Sequence, residues 1–239
     1  MKILAIETST LLGGVAVTDD SSRLIAEVRL NVKSTNSERL MTEIDHVFKR
    51  SGLQVSDIDA FAVSIGPGSF TGLRIGVSTV KGFSFATGKP IVTVPTLEAF
   101  AWNFPFSRYP VCTLLDARKK EVYAALFRWV DGGFVRLTGE TSMKVEMLLK
   151  EIKAAEGKGV RGLPEEIIFA GEGALIYRKE ITDALGEKAI FAPPDRMVPS
   201  PSVIASLGLR KALREEFSDP VSLVPLYIRR SEAEIKWNG

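Results

Sequence analysis

The same succession of elements is written twice along the 239 residues of this chain, and that repeat constrains the fold more than any single motif. Lys2 to Ser9 is short and apolar, and Gly13 to Thr18 and Arg23 to Leu30 follow after turn-like breaks at Gly13-Gly14 and Asp19-Asp20-Ser21-Ser22. Short apolar runs between turn residues predict three antiparallel strands. Leu40, Ile44, Val47 and Phe48 then recur at helical spacing, with Thr35 and Glu38 spaced as a capping box and Gly52 as the stop. Asp59 to Ile65 reads as a buried strand, Gly72 to Thr87 as a helix ending at Gly88, Pro90 to Val94 as a strand and Thr96 to Asn103 as a helix. Asn103 to Pro110 carries two prolines and no periodicity, which marks a boundary. The pattern then restarts: strands over Val111 to Leu115, Glu121 to Trp129 and Gly133 to Thr138, a helix over Val145 to Ala155, a strand over Glu166 to Ala170 and a helix over Ala174 to Leu185. First and fourth strands lie about 56 residues apart in both halves, so the order βββαβα occurs twice, and Ser202 to Phe217 adds a last helix.

Two lobes, over 1–103 and 104–239, are the economical reading of that repeat. Strands grouped in threes before they alternate with helices favour an α/β fold with mixed sheets over a purely parallel dinucleotide-binding sheet. The duplicated ribonuclease-H-like architecture of actin-like ATPases and sugar kinases has this order. With 45% apolar and 25% charged residues the chain can build a core and is not of the disordered class. One cysteine, Cys112, and one histidine, His46, supply neither a disulfide nor the donor set of a common zinc site, so no metal centre is expected. Glu7 interrupts the first apolar run before a signal core forms, and no stretch of about 20 uncharged apolar residues follows, which predicts a cytoplasmic protein without a membrane span. A net charge of +2 gives no electrostatic reason for autonomous nucleic-acid binding.

Chemistry concentrates in the stretch from Ser64 through Gly66, Gly68, Ser69, Thr71, Gly72 and Arg74 to Gly76, where a strand turns through glycines into a helix. Such a turn can aim backbone N–H groups at a phosphate or other anion. Equally, its glycines can permit a tight turn and close packing of helix on strand. The loop does not match the P-loop, because Leu73-Arg74 stands where Lys-Ser/Thr is required, nor a dinucleotide fingerprint, nor a nucleophile elbow. Glu7, Thr8 and Ser9 close the first strand where actin-like enzymes bind phosphate, and Asp116-Ala117-Arg118 holds the equivalent place in the second half without the glycine that close approach needs. His46 reads as a half-exposed helix residue, Cys112 as a small buried hydrophobe, and Arg229 to Glu234 as a solvated tail of mixed sign.

Six segments carry a family resemblance: Ile3 to Ser9, Ser37 to Leu40, Gly66 to Gly76, Val94 to Ala99, Leu115 to Arg118 with Glu121 to Tyr123, and Pro225 to Arg230. Together they resemble the bacterial TsaB (YeaZ) family of tRNA threonylcarbamoyladenosine biosynthesis. Asn36 stands where that family usually has His. The resemblance implies an actin-like two-lobed fold and a non-catalytic partner of the related transferase TsaD, which modifies the adenosine beside the anticodon of tRNAs reading ANN codons. A TsaE-type ATPase joins that complex, tRNA is reached only through it, and ATP and Mg²⁺ are used by the complex, so no cofactor of this chain's own is implied. The family pairs with TsaD or with itself through its first two helices, here over 37–50 and 71–87. Arg39, Leu40, Met41, Ile44, Leu73, Val77 and Val80 are the partner-facing candidates. The competing expectation is an independent actin-like ATPase or kinase that uses Glu7, Asp116 and the glycine loop and turns over Mg-ATP alone.

Overall fold

The computed structural model describes residues 1–21, 23–31, 36–157 and 166–228. Two compact units divide them, one formed by Met1–Ala99 with Pro199–Tyr227 and the other containing Phe100–Val198.

In the first unit β1 (Lys2–Glu7), β2 (Leu12–Asp19) and β3 (Leu24–Asn31) make the expected antiparallel meander. β4 (Ala60–Ser64) runs parallel to β1 on its other side and β5 (Ile91–Val94) parallel to β4, giving the order β3-β2-β1-β4-β5. α1 (Asn36–Ser51) and α2 (Phe70–Thr87) cover one face, packing Leu40, Ile44, Val47, Val77 and Val80 with Leu4, Ile6, Phe61 and Val63. Gly52, at φ +69°, stops α1, and Leu53 N–H returns to the Phe48 carbonyl at 3.1 Å, a Schellman closure. Ser69 caps α2 by accepting Gly72 N–H at 3.2 Å, and Gly88 ends it in the left-handed region at φ +71°. The predicted capping pair of Thr35 and Glu38 lies outside the described side chains. α3 (Thr96–Ala101) follows β5.

The second unit repeats the plan. β6 (Val111–Arg118), β7 (Glu121–Val130), β8 (Gly133–Arg136), β9 (Thr141–Lys144), α4 (Val145–Gly157), β10 (Ile167–Ala170), α5 (Glu172–Ile176), α6 (Arg178–Leu185) and β11 (Ala189–Phe191) give the sheet order β11-β10-β6-β7-β8. Renumbered within its half, this is the first order again. β8 pairs with the Phe127–Val130 end of β7 and β9 with its Glu121–Ala124 end, so the third strand of this half is split in two. Neither β9 nor β11 was expected, and the helix expected over Ala174 to Leu185 breaks at Tyr177.

The last described helix is α7 (Pro201–Ala212), which stops five residues before the expected Phe217. The sequence placed this helix in the second lobe, but it belongs to the first unit, where it covers the second face of the sheet. Its fit there is close: a Cβ on Gly208 would lie 2.5 Å from the Cβ of Ala62. Cover on both faces explains why every residue of β4, and all of β1 but its first, is buried, and hence why these strands read as unbroken apolar runs. The boundary between units falls at Ala99/Phe100 rather than after Asn103.

Candidate functional site

Ile6 of β1 pairs with Val63 of β4, so Glu7 and Ser64 are the next residues at the carboxyl ends of neighbouring parallel strands. Glu7 is fully buried. Its Oε1 accepts the Ser9 backbone N–H at 2.6 Å and the Ser9 hydroxyl as well. Oε2 and the Ser64 hydroxyl are both buried without an aligned hydrogen bond, although the hydroxyl is near enough to favour the carboxylate. Removal from water outweighs the Ser9 and Ser64 contacts and pushes the Glu7 carboxyl up to about 7.

The glycine loop folds over this strand end. A Cβ on Gly68 would lie 2.3 Å from the Ser9 carbonyl oxygen, one on Gly72 2.0 Å from the Thr8 carbonyl oxygen, and one on Gly76 2.3 Å from Thr8 Oγ1. Ser69 N–H donates to the Ser9 carbonyl at 2.7 Å, and Gly72 N–H is taken by Ser69 Oγ. Gly66, at φ +116°, is approached by the Leu226 carbonyl, which would lie 2.8 Å from an added Cβ, while Leu226 N–H donates to the Ile65 carbonyl at 2.7 Å. Glu7, Thr8, Ser9, Gly66, Gly68, Ser69 and Gly72 therefore meet in one junction, where backbone packs directly on backbone at Gly66, Gly68 and Gly72. Thr71 and Arg74 turn outward. The Arg74 guanidinium lies over the Phe70 ring at 4.4 Å and its Nε donates to the Tyr227 hydroxyl at 3.0 Å, with Phe70 and Tyr227 stacked at 4.4 Å.

Of the partner-facing candidates whose side chains are described, only Met41 is at the surface, 51% exposed. Leu40, Ile44, Leu73, Val77 and Val80 are buried in the first unit, a correction to the expected assignment: their helical spacing marks the face that meets the sheet. The side chain of Arg39 lies outside the described residues. What the sequence reading missed is the strap after α7. Lys81 Nζ donates to the carbonyls of Val221 and Leu223 at 3.2 Å each, so the strap runs along α2 from Val221 to Tyr227. Val221 and Val224 stay 72% and 66% exposed, and Phe85 on α2 is 63% exposed.

The second unit has a matching junction. Gly171, at φ +108°, and Gly173 follow β10 as Gly66 and Gly68 follow β4, and a Cβ on Gly171 would fall 2.0 Å from the Leu114 carbonyl oxygen. The glycines missing after β6 are thus supplied from the loop after β10, and the repeated Gly-x-Gly at the same place in each half was the readable signal. Asp116 remains partly exposed and accepts Arg118 N–H at 3.0 Å and the Tyr177 hydroxyl at 3.3 Å. Burial, then the charge of Asp116, pushes the Glu172 carboxyl above its ordinary value. Glu7 and Asp116 belong to different units. His46 is exposed on α1 and 3.4 Å from Arg50 Nε, and Cys112 is buried with its thiol pushed up to about 12 by burial. Among the described residues no three or more His, Cys, Asp or Glu are grouped to hold a metal ion, and no helix is long and apolar enough to cross a membrane.

A family model described as TsaD, tRNA N6-adenosine threonylcarbamoyltransferase, matches residues 26–237. The tRNA threonylcarbamoyladenosine biosynthesis protein TsaB of Bacillus subtilis is 30% identical over 237 residues, covering 99% of this chain and 98% of that protein. The chain belongs to the TsaB family. Among solved structures, YeaZ from Pseudomonas aeruginosa superposes with a TM-score of 0.75 at 23% identity, covering 95% of this chain and 99% of that one. Inorganic polyphosphate/ATP-glucomannokinase from Arthrobacter superposes with a TM-score of 0.50 at 11% identity, covering 89% and 99%. These likenesses show the actin-like α/β fold. Four of the TsaB segments read separately in the sequence converge on the first junction: Ile3 to Ser9, Gly66 to Gly76, the strap at Leu226, and Thr96, whose Oγ1 accepts Gly66 N–H at 3.2 Å and whose N–H donates to the Gly66 carbonyl at 2.8 Å. Arg229 and Arg230, with the rest of the tail, lie outside the described residues.

Proposed function

We propose that this TsaB-family chain serves tRNA threonylcarbamoyladenosine biosynthesis in the cytoplasm as the non-catalytic partner of a TsaD-type transferase. It acts as a scaffold that stabilises the transferase and offers a surface to a TsaE-type ATPase, with tRNA, ATP and Mg²⁺ engaged by the complex rather than by this chain alone. The observation that carries the reading is the junction packed backbone on backbone. A phosphate cradle needs free backbone N–H groups and room for close approach, whereas here the N–H groups of Ser69 and Gly72 already have acceptors in the chain. Glu7, at the place where an actin-like enzyme would present an acid, has no exposed surface. The partner surface, used for TsaD or for a second copy, is the outward side of the first two helices with the strap: Met41, Phe85, Val221 and Val224, apolar and exposed.

The test is size-exclusion chromatography with light scattering on the chain alone and mixed with TsaD from the same source, with and without ATP and Mg²⁺. A self-dimer that exchanges into a one-to-one complex is expected, with modification activity only in the mixture. Met41→Asp combined with Phe85→Asp should weaken the complex at least tenfold, as burying two unpaired carboxylates requires. Absence of a complex in every condition, together with Mg-ATP turnover by the lone chain that Glu7→Ala abolishes, would overturn the reading in favour of an independent ATPase or kinase.

A further inference from the structure

The hairpin between β6 and β7 breaks the residue preferences of its own geometry. Arg118 pairs with Glu121, the register shifts between Asp116 and Arg118, and the two-residue loop is Lys119-Lys120. Arg118, Lys119 and Lys120 all lie in the left-handed region, at φ 63°, 54° and 63°. A side chain at such a φ crowds the following carbonyl, which is why two-residue loops of this kind favour Asn-Gly or Asp-Gly. The next hairpin of the same sheet supplies the contrast: between β7 and β8, Val130 pairs with Gly133 around Asp131-Gly132 at φ 47° and 83°. One hairpin thus uses a favoured pair, and its neighbour holds three consecutive cations in the conformation where L side chains are strained. Strain retained at one tip and avoided at another points to a function for the tip residues.

All three side chains are exposed, and the backbone beneath them is fixed. Asp116 accepts Arg118 N–H at 3.0 Å and Val145 N–H donates to the Lys120 carbonyl at 3.4 Å. Asp116 also accepts the Tyr177 hydroxyl at 3.3 Å, and Glu121, the register partner of Lys144, accepts the Ser142 hydroxyl at 3.3 Å. We propose that the Arg118-Lys119-Lys120 tip is a contact for the phosphate backbone of RNA, used on the tRNA within the assembly; the choice of RNA rests on the function proposed above. Three point charges on a rigid turn suit phosphate oxygens and carry no base information. So small a cluster on a chain of net charge +2 makes a weak, salt-sensitive contact rather than an autonomous binding site.

Lys119→Asn with Lys120→Gly tests this because it gives the turn its favoured residues while removing two charges. The full chain, alone and with TsaD, is titrated with an unmodified tRNA transcript by filter binding between about 50 and 300 mM salt, and complex formation is followed separately by chromatography. The expected result is a melting temperature raised by about 2 to 4 °C, unchanged pairing with TsaD, RNA affinity lowered several-fold and a plot of log K against log salt shallower by about 2. Unchanged RNA affinity and slope would overturn the proposal, as would RNA binding by neither the chain nor the mixture. Loss of TsaD pairing with RNA binding intact would also overturn it, because the tip would then contact an acidic protein surface. Equal dependence of ATP binding on the tip would assign it to small phosphates and overturn the RNA contact. If no TsaD complex forms but the lone chain binds RNA through the tip, the scaffold reading fails while the tip assignment stands.

Discussion

The two strand-to-helix junctions follow one plan and are finished differently. In each half the first glycine of a Gly-x-Gly turn takes a positive φ, 116° at Gly66 and 108° at Gly171. In each, glycines let the loop press against the backbone of the half's first strand or of the residues just after it. The first junction then closes over its acid: Glu7 is sealed under Ser9, Gly68 and Gly72, and the strap at Leu226 adds a further layer. The second leaves Asp116 partly exposed, held by Tyr177 and the Arg118 backbone. Duplicated topology therefore fixes where an acid stands, and the local packing decides whether anything outside can reach it.

Replacing the glycines breaks the comparison hardest. Gly72→Ala would drive a methyl to 2.0 Å from the Thr8 carbonyl oxygen, and Gly171→Ala the same distance from that of Leu114 with a φ of +108° besides. Both obstacles are backbone, which cannot rotate away, so each change should cost about 4 kcal/mol or more and reduce soluble yield. Urea unfolding of purified protein checks this. Gly76→Ala should cost less, because the atom it meets, Thr8 Oγ1 at 2.3 Å, belongs to a side chain that can turn.

Glu7→Gln sharpens the contrast through pH. The native carboxyl titrates at about 7 against an ordinary 4.5. Between those values the folded chain keeps a proton that the unfolded chain has lost, so stability falls as pH rises through this window and the loss is complete above about 7. The penalty is about 3 kcal/mol. Gln carries no such penalty, so the variant should match the parent near pH 4.5 and exceed it by about 2 to 3 kcal/mol near pH 8. Denaturant midpoints across that range decide it; parallel curves would mean that water reaches Glu7. Glu172→Gln in the second junction should show the same sign at smaller amplitude, because Glu172 is less fully removed from water.

A weaker probe lies in the second junction alone. Tyr177→Phe removes the 3.3 Å hydrogen bond to Asp116 and keeps the ring among Leu114, Phe169 and Ile181. The expected loss is about 1 kcal/mol, measured by thermal unfolding, since the partner left behind, Asp116, is partly exposed and can turn to water.

Much of the fold was legible because burial on both faces writes strands as plain apolar runs, as at Leu4 to Ile6 and Phe61 to Val63. β9 and β11, four and three residues long, are too short to show a period. The allegiance of α7 was hidden because it depends on Gly208 meeting Ala62 and Pro201 meeting Gly14, pairs that no local pattern contains. The glycine loop drew notice at once, yet its role is set by Thr8 and Ser9, about 60 residues earlier. Helical spacing found the apolar stripe of α1 and α2 but could not say that it faced inward. The strap, with Pro220 and Pro225 and no periodicity, showed in the sequence only as the resemblance at Pro225 to Arg230, and nothing local said that it would lie along α2.

The smallest effect separates glycines that look alike in sequence. Gly72, Gly76 and Gly82 all lie within α2, and glycine anywhere in a helix interior loses backbone entropy that alanine does not. At Gly82 nothing lies within 4 Å of an added Cβ, so Gly82→Ala carries no steric cost and should stabilise the protein by about 0.5 to 1 kcal/mol. Opposite signs at Gly72 and Gly82, read from melting temperatures of the two variants, would show that α2 tolerates its first glycines only because β1 ends beneath them. A loss of stability at Gly82 as well would mean that this surface of the helix is already covered in solution, as it would be in a self-dimer built on α2. Comparing the Gly82→Ala variant above and below the self-association concentration then assigns the loss to the dimer or to the fold.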